Sequence, residues 1–363
     1  MQFIDLAAQQ KKVLPSIHDR MARVLAHGQY IMGPEVQELE TALSHYTGAR
    51  HCITVASGTE ALLIALLALD IRPGDEIITT PFTFAATAEV MVLLGAIPVF
   101  VDIEPDTCNI DANLIAAAIT PKTRGIMPVS LYGQTADMDA INTIASAHGL
   151  PVIEDAAQSF GATYKGRKSC NLSTLGCTSF FPSKPLGCYG DGGAVFTHDD
   201  ALAQACREIR LHGQSQRYHH TRVGVGGRMD TLQCAIVLAK FEQFEWEIAQ
   251  RILIGGRYLE KLEGHVAVQP LTVRPDRACI WGQFTVQAEN RARLLEKLKQ
   301  ESIPTAIHYP IPLHRQPAYQ NVCRVVGTLR HAETIAQRVF SLPMHPYLNE
   351  ADQNRIVNAL TIE

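Results

Sequence analysis

Five short runs of aliphatic and β-branched residues punctuate the first half of the chain: HCITVAS (51–57), DEIITT (75–80), AIPVFVDI (96–103), TRGIMPVS (123–130) and PVIEDA (151–156). Helical patterns separate them, over Thr59–Leu69, Thr83–Leu94 and Asp137–His148. Near-continuous apolar strands are buried on both faces, and strands that alternate with helices pair mainly in parallel. The pattern predicts an α/β fold: a mainly parallel sheet between two layers of helices. In such a sheet, ligands sit at the carboxyl ends of the strands.

The pattern changes after Cys177. CTSFF and AVFT read as two short strands joined by PSKPLGCYGDGG, a loop rich in Pro and Gly. Helices follow over Asp199–Leu211, Asp230–Ala239 and about Phe241–Leu262, then a strand over Trp281–Gln287 and a helix over Arg291–Gln300. We expect a large unit over residues 1–243 and a smaller α+β unit over 244–363. The 363 residues, 47% hydrophobic, suffice for two cores. With 32 basic against 36 acidic residues, a nucleic-acid partner is not expected. No apolar run approaches a membrane span, and MQFIDLAAQQKK lacks the apolar centre of a signal peptide. Nine cysteines without a C-x-x-C pair suit the reduced thiols of a cytoplasmic protein, and no metal site is expected.

Three motifs could carry chemistry. In SGTEAL (57–62), Ser57, Gly58 and Thr59 stand where a strand turns into a helix, so N–H groups and hydroxyls there favour a phosphate. The same residues also make an ordinary N-cap, which needs no ligand. In VIEDAAQSFGA (152–162), a strand delivers Glu154 and Asp155 to its end, with Gln158 one turn on. A half-buried carboxylate there suits a protonated ring nitrogen or a metal, or merely a helix dipole. In SFFPSKPLG, Lys184 is flanked by Phe180, Phe181, Pro182 and Pro185. Apolar surroundings disfavour its ammonium form and free the amine for a Schiff base, whereas a connecting loop would normally keep its lysine solvated. Phosphate cup, acid and lysine together are the three anchors of a pyridoxal phosphate site.

With these residues in view, the chain resembles the fold-type I, pyridoxal-phosphate-dependent sugar-nucleotide aminotransferases of the DegT/StrS group. The likeness runs through FIDLAAQQ, QYIMGPEVQELE, ASGTEAL, DEIITTPFTFAAT, PVSLYGQ, VIEDAAQSFGA, SFFPSKPLG, GDGGAVFT, HYPIPLH and SLPMHPYL, nearly the whole length. It implies that Lys184 joins the cofactor and shuttles the proton, that Asp155 pairs with the pyridinium nitrogen, and that Gln158 lies near the ring. Phe84 would lie on the ring face, and Gly58, Thr59 and Ser179 would hold the phosphate. One departure is visible. The family's asparagine, contributed to the phosphate by a neighbouring subunit, corresponds to Gly226, just before Arg228-Met229-Asp230. That contact is lost, supplied by water, or taken over by the N–H groups of Gly226 and Gly227.

HGQYIMGPE, CNLSTLGCTSFFPSKPLGCYGDGG and HGQSQRYHHTRVGV resemble the branch that aminates UDP-2-acetamido-2-deoxy-ribo-hex-3-uluronate for bacterial surface polysaccharide. This implies L-glutamate as donor, a UDP-sugar as acceptor, a homodimer, and substrate contacts at Gly28, Tyr30, Ser183, Arg228, His308 and Tyr309. An arginine fork suits a carboxylate, so Arg228 is the candidate for the sugar or glutamate carboxylate, against a plain ion pair with Asp230. Amination at carbon 4 of another keto sugar and a non-catalytic, cofactor-binding regulator are the competing readings. In related deoxygenases a histidine replaces the lysine, and Lys184 argues against that chemistry.

Overall fold

The computed structural model describes residues 1–361. The expected strands form β1 (His51–Val55), β2 (Glu76–Thr79), β3 (Ile97–Phe100), β4 (Thr123–Ile126), β5 (Ile153–Asp155), β6 (Leu175–Ser179) and β7 (Gly193–Thr197). They lie in two ladders, β1-β7-β6-β5 and β4-β2-β3, the second edged by Arg324–Val325. The ladders join where the Asp155 N–H donates to the Pro128 carbonyl and the Ser130 N–H to the Asp155 carbonyl, each at 2.9 Å. β7 runs antiparallel to both neighbours, and the other pairings are parallel.

Five helices matter for the site: α1 (Leu6–His27), α2 (Gly58–Ala68), α3 (Ala86–Leu93), α4 (Thr231–Phe241) and α5 (Phe244–Lys261). α2 buries Ala61, Leu62, Ile64, Ala65 and Leu66 against Ile53, Val55, Ile153, Cys177 and Val195 of the sheet. Each large aliphatic side chain so buried contributes about 1.5–3 kcal/mol. The opposite face of the same strands presents Cys52, Ala194 and Phe196 to Phe160, Phe180 and Phe244. α1 is not legible as a periodic stripe and carries Pro15. It is started by Asp5, whose carboxylate accepts the Ala8 N–H at 2.8 Å, and is held on α4 through Val13, Ile17, Ile236 and Ala239.

Several expected elements are shorter than the sequence suggests, two of them with a visible cause at their start. Residues 81–85 form a turn rather than the start of α3, and the Pro81 carbonyl is taken by the Leu313 N–H at 2.8 Å. The strand expected from Trp281 begins at Phe284, because Trp281 adopts a left-handed backbone.

The C-terminal sheet is antiparallel, in the order β8 (Gln269–Pro270), β9 (Phe284–Gln287), β10 (Val339–Leu342). Leu294, Leu298 and Ile356 cover it from two helices, with Ile254 and Tyr258 from the second half of α5, and Leu262 and Leu360 just past helix ends. The first half of α5 places Phe244 and Ile248 in the core of the large sheet. One helix thus belongs to both cores. Among the described residues no helix is long and apolar enough to cross a membrane, and the nine cysteines are free.

Candidate active site

Consecutive residues of a strand point to opposite faces, and this separates the two acids at the end of β5. Glu154 turns away from α2. Its carboxylate accepts the Ser130 and Ser169 hydroxyls and the Cys170 N–H, each at 2.8 Å, which fills it with internal donors. Asp155 turns towards α3 and accepts the Thr87 hydroxyl at 2.8 Å and the Ala157 N–H at 3.2 Å. Because the Thr87 hydrogen goes to Asp155, the Thr83 hydroxyl, 2.9 Å away, must donate to Thr87. Burial pushes the Asp155 carboxyl above the usual range. The Thr87 and Ala157 donors and the nearby charge of Lys184 pull it back. A buried carboxylate with few donors is stabilised by a cation, which a protonated ring nitrogen supplies.

Lys184 lies in the long loop between β6 and β7, in a local turn closed by its N–H donating to the Phe181 carbonyl at 2.9 Å. Burial lowers the proton affinity of its amine, and the negative charge of Asp155 opposes that shift. Gln158 completes the wall: its carbonyl accepts the Tyr132 N–H at 2.8 Å, and its amide donates to the Tyr309 hydroxyl at 3.0 Å. The Phe84 ring lies 6.2 Å from that of Tyr309 and is 57% exposed, so one face of it is open to a ligand.

The phosphate cup is built by close approach. Ser57 caps α2 by accepting the Glu60 N–H at 3.0 Å, which leaves the N–H groups of Gly58 and Thr59 without an intrahelical acceptor. A Cβ at Gly58 would stand 2.6 Å from the Ser179 Cβ. Only glycine lets the positive end of α2 come so close to the Ser179 hydroxyl. Helix terminus, hydroxyl, amine and acid are the donor set a pyridoxal phosphate requires, and the residues present fit it.

The residues expected at the substrate divide into two groups. Ser183 is half-buried beside Lys184; Tyr309 is tied to Gln158, and burial and the Lys184 charge both lower the His308 imidazole. Gly28 and Tyr30 are exposed and make no hydrogen bond or ring contact with this group; the Tyr30 carbonyl accepts the Thr231 N–H at 3.0 Å. Arg228 lies nearby, and among the described residues it forms no ion pair with Asp230 or any other acid; its charge pulls down the Glu60 carboxyl that burial raises. At Gly226 one expectation is corrected. The Gly227 N–H is committed to the Arg210 carbonyl at 3.1 Å and is not free for an anion. The space beside Gly226 is bordered by His212, whose Nε2 would lie 3.3 Å from an added Cβ. Sequence reasoning passed over Thr87, although it lies in the same PFTFAAT stretch as Phe84, and Tyr132, whose role depends on contacts remote in sequence.

A buried lysine and a buried carboxylate within electrostatic reach of each other at the ends of a mainly parallel sheet, beside a helix terminus, suit a fold-type I, pyridoxal-phosphate-dependent enzyme. The chain belongs to the DegT/DnrJ/EryC1/StrS aminotransferase family, whose sequence profile matches residues 14–361. It is 55% identical over 361 residues to the UDP-2-acetamido-2-deoxy-3-oxo-D-glucuronate aminotransferase of Pseudomonas aeruginosa, covering 99% of each chain. It is 43% identical to a pleiotropic regulatory protein of Geobacillus stearothermophilus, covering 98% of this chain and 96% of that one. The structure of S. venezuelae DesV in complex with a ketimine intermediate matches with a TM-score of 0.96 at 38% identity, over 99% of this chain and 97% of that one.

Proposed function

We propose that the enzyme transfers the amino group of L-glutamate to the C3 ketone of a UDP-linked 2-acetamido-2-deoxy-3-oxo-hexuronic acid. The products are UDP-2-acetamido-3-amino-2,3-dideoxy-glucuronic acid and 2-oxoglutarate, the amino group and a hydrogen replacing the ketone oxygen. The observation that carries this reading is the 55% identity, end to end, to an aminotransferase of that keto sugar.

Bound pyridoxal phosphate supplies an electron sink that lets a hydrogen leave carbon as a proton. Asp155 would hold the ring nitrogen, kept in place by Thr87 and the Ala157 N–H. Gly58, Thr59 and Ser179 would hold the phosphate, and Phe84 the ring face. Lys184 Nζ, as a neutral amine, would accept the proton from the donor's α-carbon and later return one to the sugar carbon. Gln158 and Tyr309 would keep the ring side of the site ordered. Arg228, without an ion pair among the described residues, would take a carboxylate, and Ser183, His308, Gly28 and Tyr30 the remainder of the substrate.

The reading extends to a homodimer, with Phe84, Phe181, Tyr189, Tyr30 and Ile31 as exposed apolar side chains that a second copy would cover. It places the enzyme in the cytoplasm, in surface-polysaccharide (O-antigen, lipopolysaccharide) synthesis. It divides the chain at residue 243, supported by the separate C-terminal cluster; residues 362 and 363 lie outside the described structure.

The test is an absorbance titration of the purified holoenzyme. L-Glutamate should bleach the visible cofactor band, and the 3-keto uronate nucleotide should restore it. Bleaching that this sugar fails to reverse, while a 4-keto sugar does, would move the reaction to carbon 4. No response to any amino donor would favour a cofactor-binding regulator.

A further inference from the structure

Two basic side chains without partners bracket Gly226. A Cβ on Gly226 would meet one edge of the His212 imidazole, 3.2 Å from Cε1 and 3.3 Å from Nε2, and the Arg228 Nη2 at 3.5 Å. Imidazole and guanidinium thus come within 3.5 Å of one point, on a residue that has no side chain to fill it. His212 is exposed and Arg228 half-buried. Among the described residues neither side chain has a hydrogen bond or an ion pair.

The backbone fixes this arrangement. The His212 N–H donates to the Val225 carbonyl at 3.0 Å, the Val225 N–H to the Ile209 carbonyl at 2.8 Å, and the Gly227 N–H to the Arg210 carbonyl at 3.1 Å. The end of the helix over Asp200–Ile209 is thereby laced to residues 225–227. His212 takes a left-handed backbone, and its carbonyl accepts from His220 Nδ1 at 2.8 Å. The Gly227 carbonyl accepts the Ala56 N–H at 2.9 Å, one residue before the cap of α2, so the pair is tied to the phosphate cup. Glu60 comes near through Gly227, where its Oε2 would lie 3.2 Å from an added Cβ, yet that oxygen has no hydrogen-bond partner.

We propose that His212 joins Arg228 in a two-pronged clamp for a substrate carboxylate, and that glycine at position 226 leaves the room for it. The two nitrogens stand no more than twice 3.5 Å apart. Each can therefore take one oxygen of the same carboxylate at a charge-assisted distance of about 2.8 Å. An arginine alone attracts any anion. A second donor from another segment fixes the plane of a carboxylate and so orients the molecule that bears it. A side chain at 226 would push the imidazole aside and close the gap. The carboxylate belongs to the uronic sugar or to glutamate, an assignment that rests on the proposed function; the clamp itself does not.

The test is calorimetry on the holoenzyme with three unreactive probes. UDP-glucuronate carries a carboxylate, UDP-glucose lacks it, and glutarate is a dicarboxylate without an amino group. His212→Asn suits the left-handed backbone and removes the reach of the imidazole. Gly226→Ala keeps both basic groups and displaces the imidazole, an exposed group that can yield without unfolding the chain. Each variant should weaken UDP-glucuronate, glutarate or both by about tenfold or more, the value of one hydrogen bond to a charged group, and leave UDP-glucose unchanged. Loss on UDP-glucuronate assigns the clamp to the sugar, loss on glutarate to the amino donor, and loss on both to the two substrates in turn. Equal loss on UDP-glucose would make the bound group a phosphate and overturn the proposal. Unchanged binding of all three would overturn it too, as would a parent enzyme that binds no glutarate and UDP-glucuronate no better than UDP-glucose. A parent whose cofactor band L-glutamate fails to bleach would count against the proposed function alone, because none of the probes has to react.

Discussion

Replacing Gly58 by alanine tests whether the close approach of α2 to β6 builds the cofactor site. The added Cβ would stand 2.6 Å from the Ser179 Cβ, 3.0 Å from its Oγ and 3.2 Å from its Cα. Carbon atoms rest comfortably at about 3.5 Å, so the helix start must retreat by roughly 0.9 Å or Ser179 must move. Ser179 closes a strand that is buried along its whole length, and α2 is packed into the sheet through its buried aliphatic residues. Neither can give cheaply. Forcing an extra methyl into such a place costs about 1–3 kcal/mol. Where that strain is relieved by opening the cup, pyridoxal phosphate should bind about 5- to 150-fold more weakly, at 1.4 kcal/mol per factor of ten. Equilibrium titration of the apoenzyme with pyridoxal phosphate, followed by absorbance, measures this directly. Gly256→Ala, within α5 and with nothing in 4 Å of the new methyl, is the control: it should stabilise the protein by roughly 0.5–1 kcal/mol and leave affinity alone. Cofactor affinity of Gly58→Ala within twofold of the parent would refute the reasoning.

Further outcomes follow from the same geometry. Lys184→Ala should abolish turnover, and a variant retaining a near-normal rate would remove the lysine from the mechanism. The two neighbouring acids should part company: Asp155→Asn should lose turnover at nearly unchanged melting temperature, whereas Glu154→Ala, which strands three internal donors, should lower the melting temperature and still bind cofactor. Burial pushes the His345 imidazole down to about 4. The fold therefore favours its neutral form, and the stability tied to it is complete above the unfolded value near 6.5 and is lost as the pH falls from there to about 4. The loss is on the order of 3 kcal/mol. Thermal unfolding of the parent and His345→Gln across that window checks the sign: the parent should lose more on acidification, and parallel curves would exclude the linkage.

How far the sequence can be read depends on whether a role is local. Lys184, Asp155 and Gly58 announce themselves because each sits in a short motif whose neighbours define its surroundings: apolar residues around the lysine, a strand end beneath the acid, a helix start beside the glycine. The division of labour between Glu154 and Asp155 required the pleat of β5, since adjacent acids look alike until opposite faces are assigned. Thr87 is visible only once α3 is laid over β5, and Thr83 falls outside the helix expected from its pattern because Leu313 takes the Pro81 carbonyl. Thr285, Ser341 and Tyr132 carry no motif at all. The Tyr132 hydroxyl donates to the His308 carbonyl, and Ser341, set opposite Thr285 by strand register, lies 3.1 Å from His308 Nδ1; contacts spanning residues 132 to 341 are beyond what periodicity within one segment can reveal. The boundary near residue 243 falls in the short break between α4 and α5, yet packing continues across it, since the first turns of α5 belong to the earlier core.

That continuity of α5 sets how the enzyme can move. A single helix whose first turns are embedded in one core and whose last turns are embedded in the other acts as a splint. Arg251, at its middle, is buried and donates to the Trp281 carbonyl at 3.1 Å. Swinging the two units apart would require breaking helical hydrogen bonds at the point where that guanidinium is anchored. Wide clam-shell opening is thereby disfavoured, and a bulky nucleotide must come and go without the two units swinging apart.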